Sequence, residues 1–189
     1  VLEKRKDNSL YEFIEGVPSE LNKMMREGLL DVSPSSSIEY ILRPSLYHLI
    51  DGHSISSRGP IKSILLFSIL PIEKLDGKQI ICSFQSETSI ALLNVILRKF
   101  YNIRCELQVS QRPEQSNSDA FLLIGDDALK YKAKGNRQEA VGEKINKNVD
   151  YSLSTIDYRP FIYDLGELWF KNTGLPFVFA LWIARKDLD

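Results

Sequence analysis

The chain has 189 residues, with 24 basic and 25 acidic side chains, a formal net charge of −1 and 43% hydrophobic residues. This composition is typical of one large globular domain or of two small lobes that each bury an apolar core. The near-neutral charge disfavours a nucleic-acid partner, which would require a large excess of Lys and Arg. No stretch reaches the roughly 18 apolar residues of a membrane span. The two cysteines, Cys82 and Cys105, are too few for a disulfide framework or a zinc site, so a reducing, cytoplasmic location is expected.

The first third of the chain alternates between strand-like and helical patterns. Pro18 suits a first helical turn, and apolar residues recur from there at helical spacing until Gly28. The predicted elements are a strand at residues 11–15, a helix at 18–27, a strand at 29–32, a serine-rich turn at 33–37 and a helix at 38–42. This order predicts parallel strand pairing with right-handed crossovers.

The rest of the chain predicts buried strands and a second strand–helix–strand unit. Residues 64–67 are continuously apolar, as expected of a strand that is buried on both faces. The other predicted strands lie at residues 79–82, 105–110, 121–124, 160–163 and 177–183, with helices at 87–100 and 165–170. Two such units, joined where the chain crosses twice, predict an α/β fold of two lobes.

The lobes are expected at residues 1–68 with 176–189, and at residues 69–175. In such folds ligands lie outside the carboxyl ends of the strands, and here those ends face the gap between the lobes. The sequence therefore predicts a ligand cleft between two lobes.

Residues 130–150 contain six basic and three acidic side chains and almost no large apolar ones. This pattern is typical of a solvated helix end followed by a mobile loop. The alternative is a lid whose positive charge attracts an anion. The sequence leaves both interpretations open.

Serine and threonine are concentrated at two predicted strand-to-helix junctions. The candidate residues are Ser36 and Ser37, after Ser35, in the first half, and Ser86, Thr88 and Ser89 in the second. Hydroxyls beside the unpaired N–H groups of a helix start favour a bound carboxylate or phosphate. These residue types are also the ordinary N-caps of helices. Because the two junctions occupy equivalent places in two lobes, the sequence leaves a dianion-binding site and simple helix capping equally open.

A third polar turn contains Ser56, Ser57 and Arg58. Arg58 is able to bind a carboxylate through two guanidinium nitrogens, or to lie at the surface. His48 and His53 match no metal-ligand spacing, and no metal is expected. The sequence lacks the common nucleotide-binding, hydrolase and zinc-protease motifs.

Several short segments, in order over nearly the whole chain, resemble one enzyme family. They are PSEL at residues 18–21, SSIEY at 36–40, ISSRGP at 55–60, SILLFS at 63–68, SETSIALL at 86–93, IGDDAL at 124–129, YDLG at 163–166 and TGLPFVFALW at 173–182. Each segment is weak alone, but together and in register they are specific. They resemble the chorismate dehydratases of the futalosine route to menaquinone.

The resemblance implies a fold like that of the type II periplasmic binding proteins, used as an enzyme. The family removes water from chorismate, a small dicarboxylate, to give 3-[(1-carboxyvinyl)oxy]benzoate, with no metal or organic cofactor. The site residues that it implies are Ser36 and Ser37 in the first lobe, Ser86, Thr88 and Ser89 around a carboxylate in the second, and Ser56, Ser57 and Arg58 in the hinge-side wall.

The sequence also departs from the family. The family's first strand and its Tyr-(any)-Asn-(any)-(any)-Pro-Leu turn would precede Val1, and further segments of the first lobe would follow Asp189, so both natural ends are expected to be missing. Residues 130–158 form a longer stretch than the family has. No histidine or glutamate is placed convincingly as a base, which is expected in the missing segment or in the substrate's own carboxylate.

Two alternatives remain at this level, and the oligomeric state is not indicated. One is the sister enzyme of the pathway, which forms 1,4-dihydroxy-6-naphthoate from a cyclised futalosine derivative. The other is a non-catalytic solute-binding protein that captures a carboxylate.

Overall fold

The computed structural model describes residues 11–142 and 161–188, and for residues 135–142 it describes the backbone alone. The helices are α1 (Pro18–Arg26), α2 (Ser37–Leu42), α3 (Glu87–Phe100), α4 (Gly125–Gly142) and α5 (Leu165–Thr173). The strands are β1 (Val32–Ser36), β2 (Tyr47–Ser57), β3 (Ile64–Ser68), β4 (Gln79–Ser83), β5 (Glu106–Ser110), β6 (Ala120–Ile124), β7 (Phe161–Asp164) and β8 (Phe177–Arg185). The basic stretch at residues 130–150 begins as the end of α4, and its part beyond Gly142 lies outside the described residues.

The larger sheet has five strands in the order β5-β4-β6-β3-β7. Strand β4 is parallel to β5 and β6, while β3 is antiparallel to β6 and β7. Leu66 of β3 packs in the same core as Leu93 of α3, and its neighbours Leu65 and Phe67 pack on the opposite face with Phe121. The prediction of a strand buried on both faces is confirmed.

The smaller sheet has three strands in the order β1-β8-β2, and both β1 and β2 are antiparallel to β8. The predicted parallel pairing in this half is therefore wrong, because the strand between β1 and β2 comes from the far end of the chain and runs the other way. The predicted strand at residues 11–15 is also wrong, since residues 11–17 have no regular secondary structure.

Strand β1 begins where the predicted strand at 29–32 was expected to end. It continues through the predicted serine turn, pairing from Val32 opposite Ala184 to Ser36 opposite Ala180. Ser33 and Ser35 are buried in this strand. The backbone hydrogen bonds to β8 and the burial thus outweigh the turn preference of a Ser-Pro-Ser segment.

The chain passes between the sheets just before β3, which pairs only within the larger sheet over the described residues. Asp164, at the end of β7, anchors this passage: its Oδ1 accepts from the N–H of Ile61 at 3.0 Å and its Oδ2 from the N–H of Lys62 at 2.6 Å. The passage between the sheets therefore lies at residues 58–63, between β2 and β3, while the lobe boundary after Ser68 stays a prediction. The return passage lies at Gly174, which ends α5 with a φ of 70°.

Candidate functional site

The starts of α2 and α3 meet across the two sheets. The N–H of Ile38, in the first turn of α2, donates to Oγ1 of Thr88 in the first turn of α3 at 3.2 Å. Nearby, the N–H of Ser19 donates to the carbonyl of Gln85 at 3.3 Å. Because α2 follows β1 and α3 follows β4, the carboxyl ends of strands from both sheets face each other here. The two serine-containing junctions predicted from the sequence are therefore brought together.

Ser86 and Ser89 bond to each other at the start of α3. The Ser86 hydroxyl accepts from the N–H of Ser89 at 3.2 Å and from the Ser89 hydroxyl at 3.0 Å, which makes Ser86 the N-cap of the helix. Ser89 is buried, and so is Thr88. The capping interpretation is thus correct for Ser86, while Thr88 is the member of this set that faces α2.

Replacing Ser86 by alanine is expected to lower the free energy of unfolding by about 1 kcal/mol, because α3 loses its capping acceptor. Urea unfolding followed by circular dichroism measures this loss. Ser54→Ala is the matched control, since Ser54 is exposed and contacts only the Ser56 hydroxyl among the side-chain bonds described. An equal effect of the two substitutions would contradict the capping role.

Ser36 and Ser37 are buried at the junction of β1 and α2. The N–H of Ser36 donates to Oδ1 of Asn22, a fully buried side chain on α1, at 3.0 Å. Over the described part of the chain, Asn22 Nδ2, Ser33 Oγ and Ser35 Oγ are buried without a hydrogen-bond partner. A buried polar atom without a partner costs about 1–3 kcal/mol, so this junction favours a bound water or polar ligand group.

The third set of predicted residues lies at the carboxyl end of β2, at the same sheet edge as Ser36. Ser36 and Ile55 both pair with Ala180 of β8, one on each side, so they are about 10 Å apart across the sheet. Ser56 is exposed, and the half-buried Ser57 donates to the carbonyl of Gly59 at 3.0 Å.

Arg58 is exposed and places its guanidinium 5.7 Å from the ring centroid of Phe170 on α5. This cation–π contact directs Arg58 toward α5. Arg58 therefore lies at the passage between the sheets and faces α5, while its part in a hinge-side wall stays a prediction. Its contact with substrate stays a prediction.

A buried carboxylate, Glu39, lies in the first turn of α2. It accepts from Nη1 of Arg26, from Nη1 of Arg43 at 3.2 and 3.3 Å, and from the Tyr47 hydroxyl at 2.9 Å. Two guanidinium groups thus compensate a fully buried negative charge. Burial, and then the hydrogen bond to Glu39, raise the pKa of Tyr47 to about 12, so the phenol remains a protonated donor at neutral pH.

A cavity of about 310 Å³ lies beside Arg26 and Tyr47, two of the residues that bind the Glu39 carboxylate. Its lining comes from the end of α1, the start of β2 and the end of β8, and includes Arg26, Tyr47, Arg185 and Lys186. Its cations already have partners: Arg185 lies 3.5 Å from Asp31, and Lys186 donates to the carbonyl of Pro44 at 3.1 Å. The cavity therefore offers an anion little unpaired charge.

Asn22 and Glu39 were not predicted as parts of the site. The available signals were the spacing of Asn22 and Met25, which places a polar side chain on the buried face of α1, and the spacing of Glu39 and Arg43, which favours an ion pair on one helix face. Within residues 11–142 and 161–188, no group of three or more His, Cys, Asp or Glu side chains is arranged to hold a metal ion. In the same residues, no helix combines the length and apolarity needed to cross a membrane.

Comparison with known proteins identifies the family. Residues 2–189 match the family described as "Menaquinone biosynthesis". The chain is 30% identical, over 178 residues, to the chorismate dehydratase of Thermus thermophilus. That alignment covers 94% of this chain but 62% of the relative. The chain belongs to the menaquinone biosynthesis family, and it spans less than two thirds of the length of this relative.

Among solved structures, protein AF1704 of Archaeoglobus fulgidus is 19% identical and has a TM-score of 0.60. The match covers 95% of this chain and 58% of that one, and at this identity it shows the fold alone. The periplasmic aliphatic sulphonate binding protein of Escherichia coli is 15% identical with a TM-score of 0.49, covering 97% of this chain and 57% of that one. The sheets and helices of the structure, together with the similarity to AF1704, confirm the predicted α/β fold.

Proposed function

We propose that this protein acts as a chorismate dehydratase, removing water from chorismate to give 3-[(1-carboxyvinyl)oxy]benzoate in menaquinone biosynthesis. The observation that carries the proposal is the hydrogen bond between Ile38 N–H and Thr88 Oγ1, which joins two polar helix starts from different sheets. Family membership and the similarity to a chorismate dehydratase support it. The substrate is a small dicarboxylate, which matches a site with hydroxyls and N–H groups on both sides.

In the proposed complex a carboxylate of chorismate replaces the direct contact between the two helix starts. It accepts from the N–H of Ile38 and from the O–H of Thr88, whose oxygen then no longer accepts from Ile38. Hydrogen bonds to a charged acceptor are stronger than the neutral bond that they replace. Two further groups lie near Ser36 on the α2 side: Ser35 Oγ and Asn22 Nδ2. Both are buried without a hydrogen-bond partner among the described residues, so they are able to donate to the substrate.

The reaction eliminates the ring hydroxyl together with an acidic ring proton and leaves an aromatic ring. Since aromatisation makes the step strongly downhill, the protein mainly has to orient the dianion and exclude water. Glu39 is not the base in this proposal, because Arg26, Arg43 and Tyr47 occupy its carboxylate. The base is assigned to a segment outside the described residues or to the substrate's own carboxylate.

The same proposal places the reaction in the cytoplasm. Cys82 and Cys105 are both free thiols in the structure, as in proteins of reducing compartments.

Incubating the complete protein with chorismate, and following the enolpyruvyl-benzoate product by chromatography, tests the proposal. Product formation supports it. Tight binding of chorismate without product would favour a carboxylate-binding protein. Neither binding nor product would favour the sister enzyme. Turnover of the cyclised futalosine derivative would then identify that enzyme.

Replacing Thr88 by alanine is expected to raise KM for chorismate at least about tenfold, the effect of losing one hydrogen bond to a charged group. Thr88→Ser is the matched control, because it keeps the hydroxyl and should stay close to the wild type. Steady-state kinetics measures both. Unchanged KM and kcat in Thr88→Ala, and also in the alanine variants of Ser86 and Ser89, would rule out this carboxylate site.

A further inference from the structure

Arg26, in the last turn of α1, connects the first turns of α2 and α3. Its Nη1 contacts Oε2 of Glu39 in α2 and lies 3.8 Å from Oε2 of Glu87 in α3. Glu39 follows Ser37 by two positions, and Glu87 directly precedes Thr88. One guanidinium therefore contacts both helix starts that form the candidate site, each through a residue next to the candidate hydroxyls.

On the α2 side, Arg26 is not needed to compensate the buried charge. Arg43 reaches both carboxylate oxygens of Glu39, and the Tyr47 hydroxyl donates to one of them. Without Arg26, Glu39 would thus keep a cation and a hydrogen-bond donor. The contact with Glu39 therefore mainly fixes the position of the Arg26 guanidinium, since Arg43 and Tyr47 stabilise the Glu39 carboxylate without it.

On the α3 side, the ion pair with Arg26 joins two helices, α1 and α3, that pack against different sheets. The Glu87 side chain is 44% exposed and the Arg26 side chain 27% exposed, so solvent weakens this pair but does not surround it. Glu87 is the first residue of α3, where a carboxylate also interacts favourably with the helix dipole. Arg26 therefore draws the start of α3 toward α2.

We propose that Arg26 is a positioning residue that sets the separation between Thr88 and the start of α2, and with it the fit of the substrate carboxylate. The inference rests on the proposed function for its effect on catalysis. The bridge itself is a property of the fold and can be measured without substrate.

Arg43 provides the matched control. Arg26→Gln and Arg43→Gln each remove one cation from Glu39, but Arg26 also reaches α3. A loss of stability shared by the two variants reports on Glu39, whereas an effect confined to Arg26→Gln reports on the bridge. Glu87→Gln weakens the same bridge from the other end and leaves Glu39 untouched, so it replaces Arg26→Gln if that variant does not fold.

In steady-state kinetics with chorismate, Arg26→Gln and Glu87→Gln are expected to raise KM about fourfold, the effect of losing a part-exposed ion pair, and to change kcat by less than about twofold, because the geometry of binding is altered and not the reacting groups. Arg43→Gln should retain both constants. Equal KM values in Arg26→Gln and Arg43→Gln would overturn the proposal.

A distance measurement tests the bridge independently of activity. Nitroxide labels at Ile41 of α2 and Val95 of α3, which are both exposed, report the separation of the two helices by pulsed electron paramagnetic resonance. Cys105→Ser removes the part-exposed thiol, while burial raises the pKa of the Cys82 thiol to about 12 and keeps it unreactive.

The distance distribution should broaden in Arg26→Gln and Glu87→Gln but not in Arg43→Gln. Identical distributions in all variants would overturn the bridge. A broadened distribution in a protein that does not turn over chorismate would retain the bridge and reject the proposed function.

Discussion

Asp164→Ala is expected to lower the free energy of unfolding by about 4 kcal/mol, since it removes one helix cap worth about 1 kcal/mol and two hydrogen bonds to a charged acceptor worth about 1.5 kcal/mol each. The carboxylate accepts from the N–H of Glu167 at 3.0 Å, which caps α5. It also accepts from Ile61 and Lys62, where the chain passes between the sheets. Lys62 has a φ of 67°, an unfavourable conformation that these bonds stabilise.

Urea unfolding of the complete protein measures this loss. Asp126→Ala is a suitable control, because Asp126 also lies in the first turn of a helix but its side chain is 85% exposed. A change of no more than about 0.5 kcal/mol is expected there. Asp164→Asn keeps one carbonyl oxygen and should fall between the two. If Asp164→Ala were no less stable than Asp126→Ala, the anchoring role would be wrong.

Gly166→Ala is expected to destabilise the protein by about 2 kcal/mol, the typical cost of overpacking, even though alanine favours a helix over glycine by about 1 kcal/mol. A Cβ at this position would lie 2.6 Å from the carbonyl oxygen of Gly59 and 3.0 Å from the N atom of Ile61. Both are backbone atoms of the passage between the sheets, so they cannot move without displacing it.

Thermal unfolding of Gly166→Ala, compared with Ser57→Ala and the double variant, tests this explanation. The Ser57 hydroxyl is also 3.0 Å from the added Cβ, but it is a side-chain atom. Removing it should not restore stability, because the contact with Gly59 remains. Full recovery in the double variant would show that the backbone does not cause the clash.

The elements that the sequence predicted well are those with local determinants. Helix α3 was predicted with both ends because a capping serine precedes a regular apolar face and basic residues occupy its last turn. Strand β3 was predicted because a continuous apolar run of that length suits a strand with two buried faces. Strand β1 was not, since its course depends on a partner strand far along the chain.

The candidate site divides in the same way. Serines and threonine at two strand-to-helix junctions were visible in the sequence, and the structure brings these junctions into contact through Ile38 and Thr88. The roles of Asn22 and Arg26 could not be predicted, because both act across element boundaries. The YDLG segment, which is weak alone as a motif, contains Asp164, which binds the passage between the sheets and caps α5, and Gly166, whose lack of a Cβ leaves room for that passage.

The central position of β8 has a consequence for how the chain folds as it is synthesised. In the described residues, β1 and β2 pair with β8 and not with each other. The strands of the larger sheet, β3 to β7, have all been made before β8 emerges. The larger sheet can therefore assemble first, while β1 and β2, although translated earlier, have to wait for β8. Chains that end before residue 177, tethered to the ribosome by a linker long enough to clear the exit tunnel, should accordingly protect the β3–β7 amides from hydrogen exchange but leave those of β1 and β2 open.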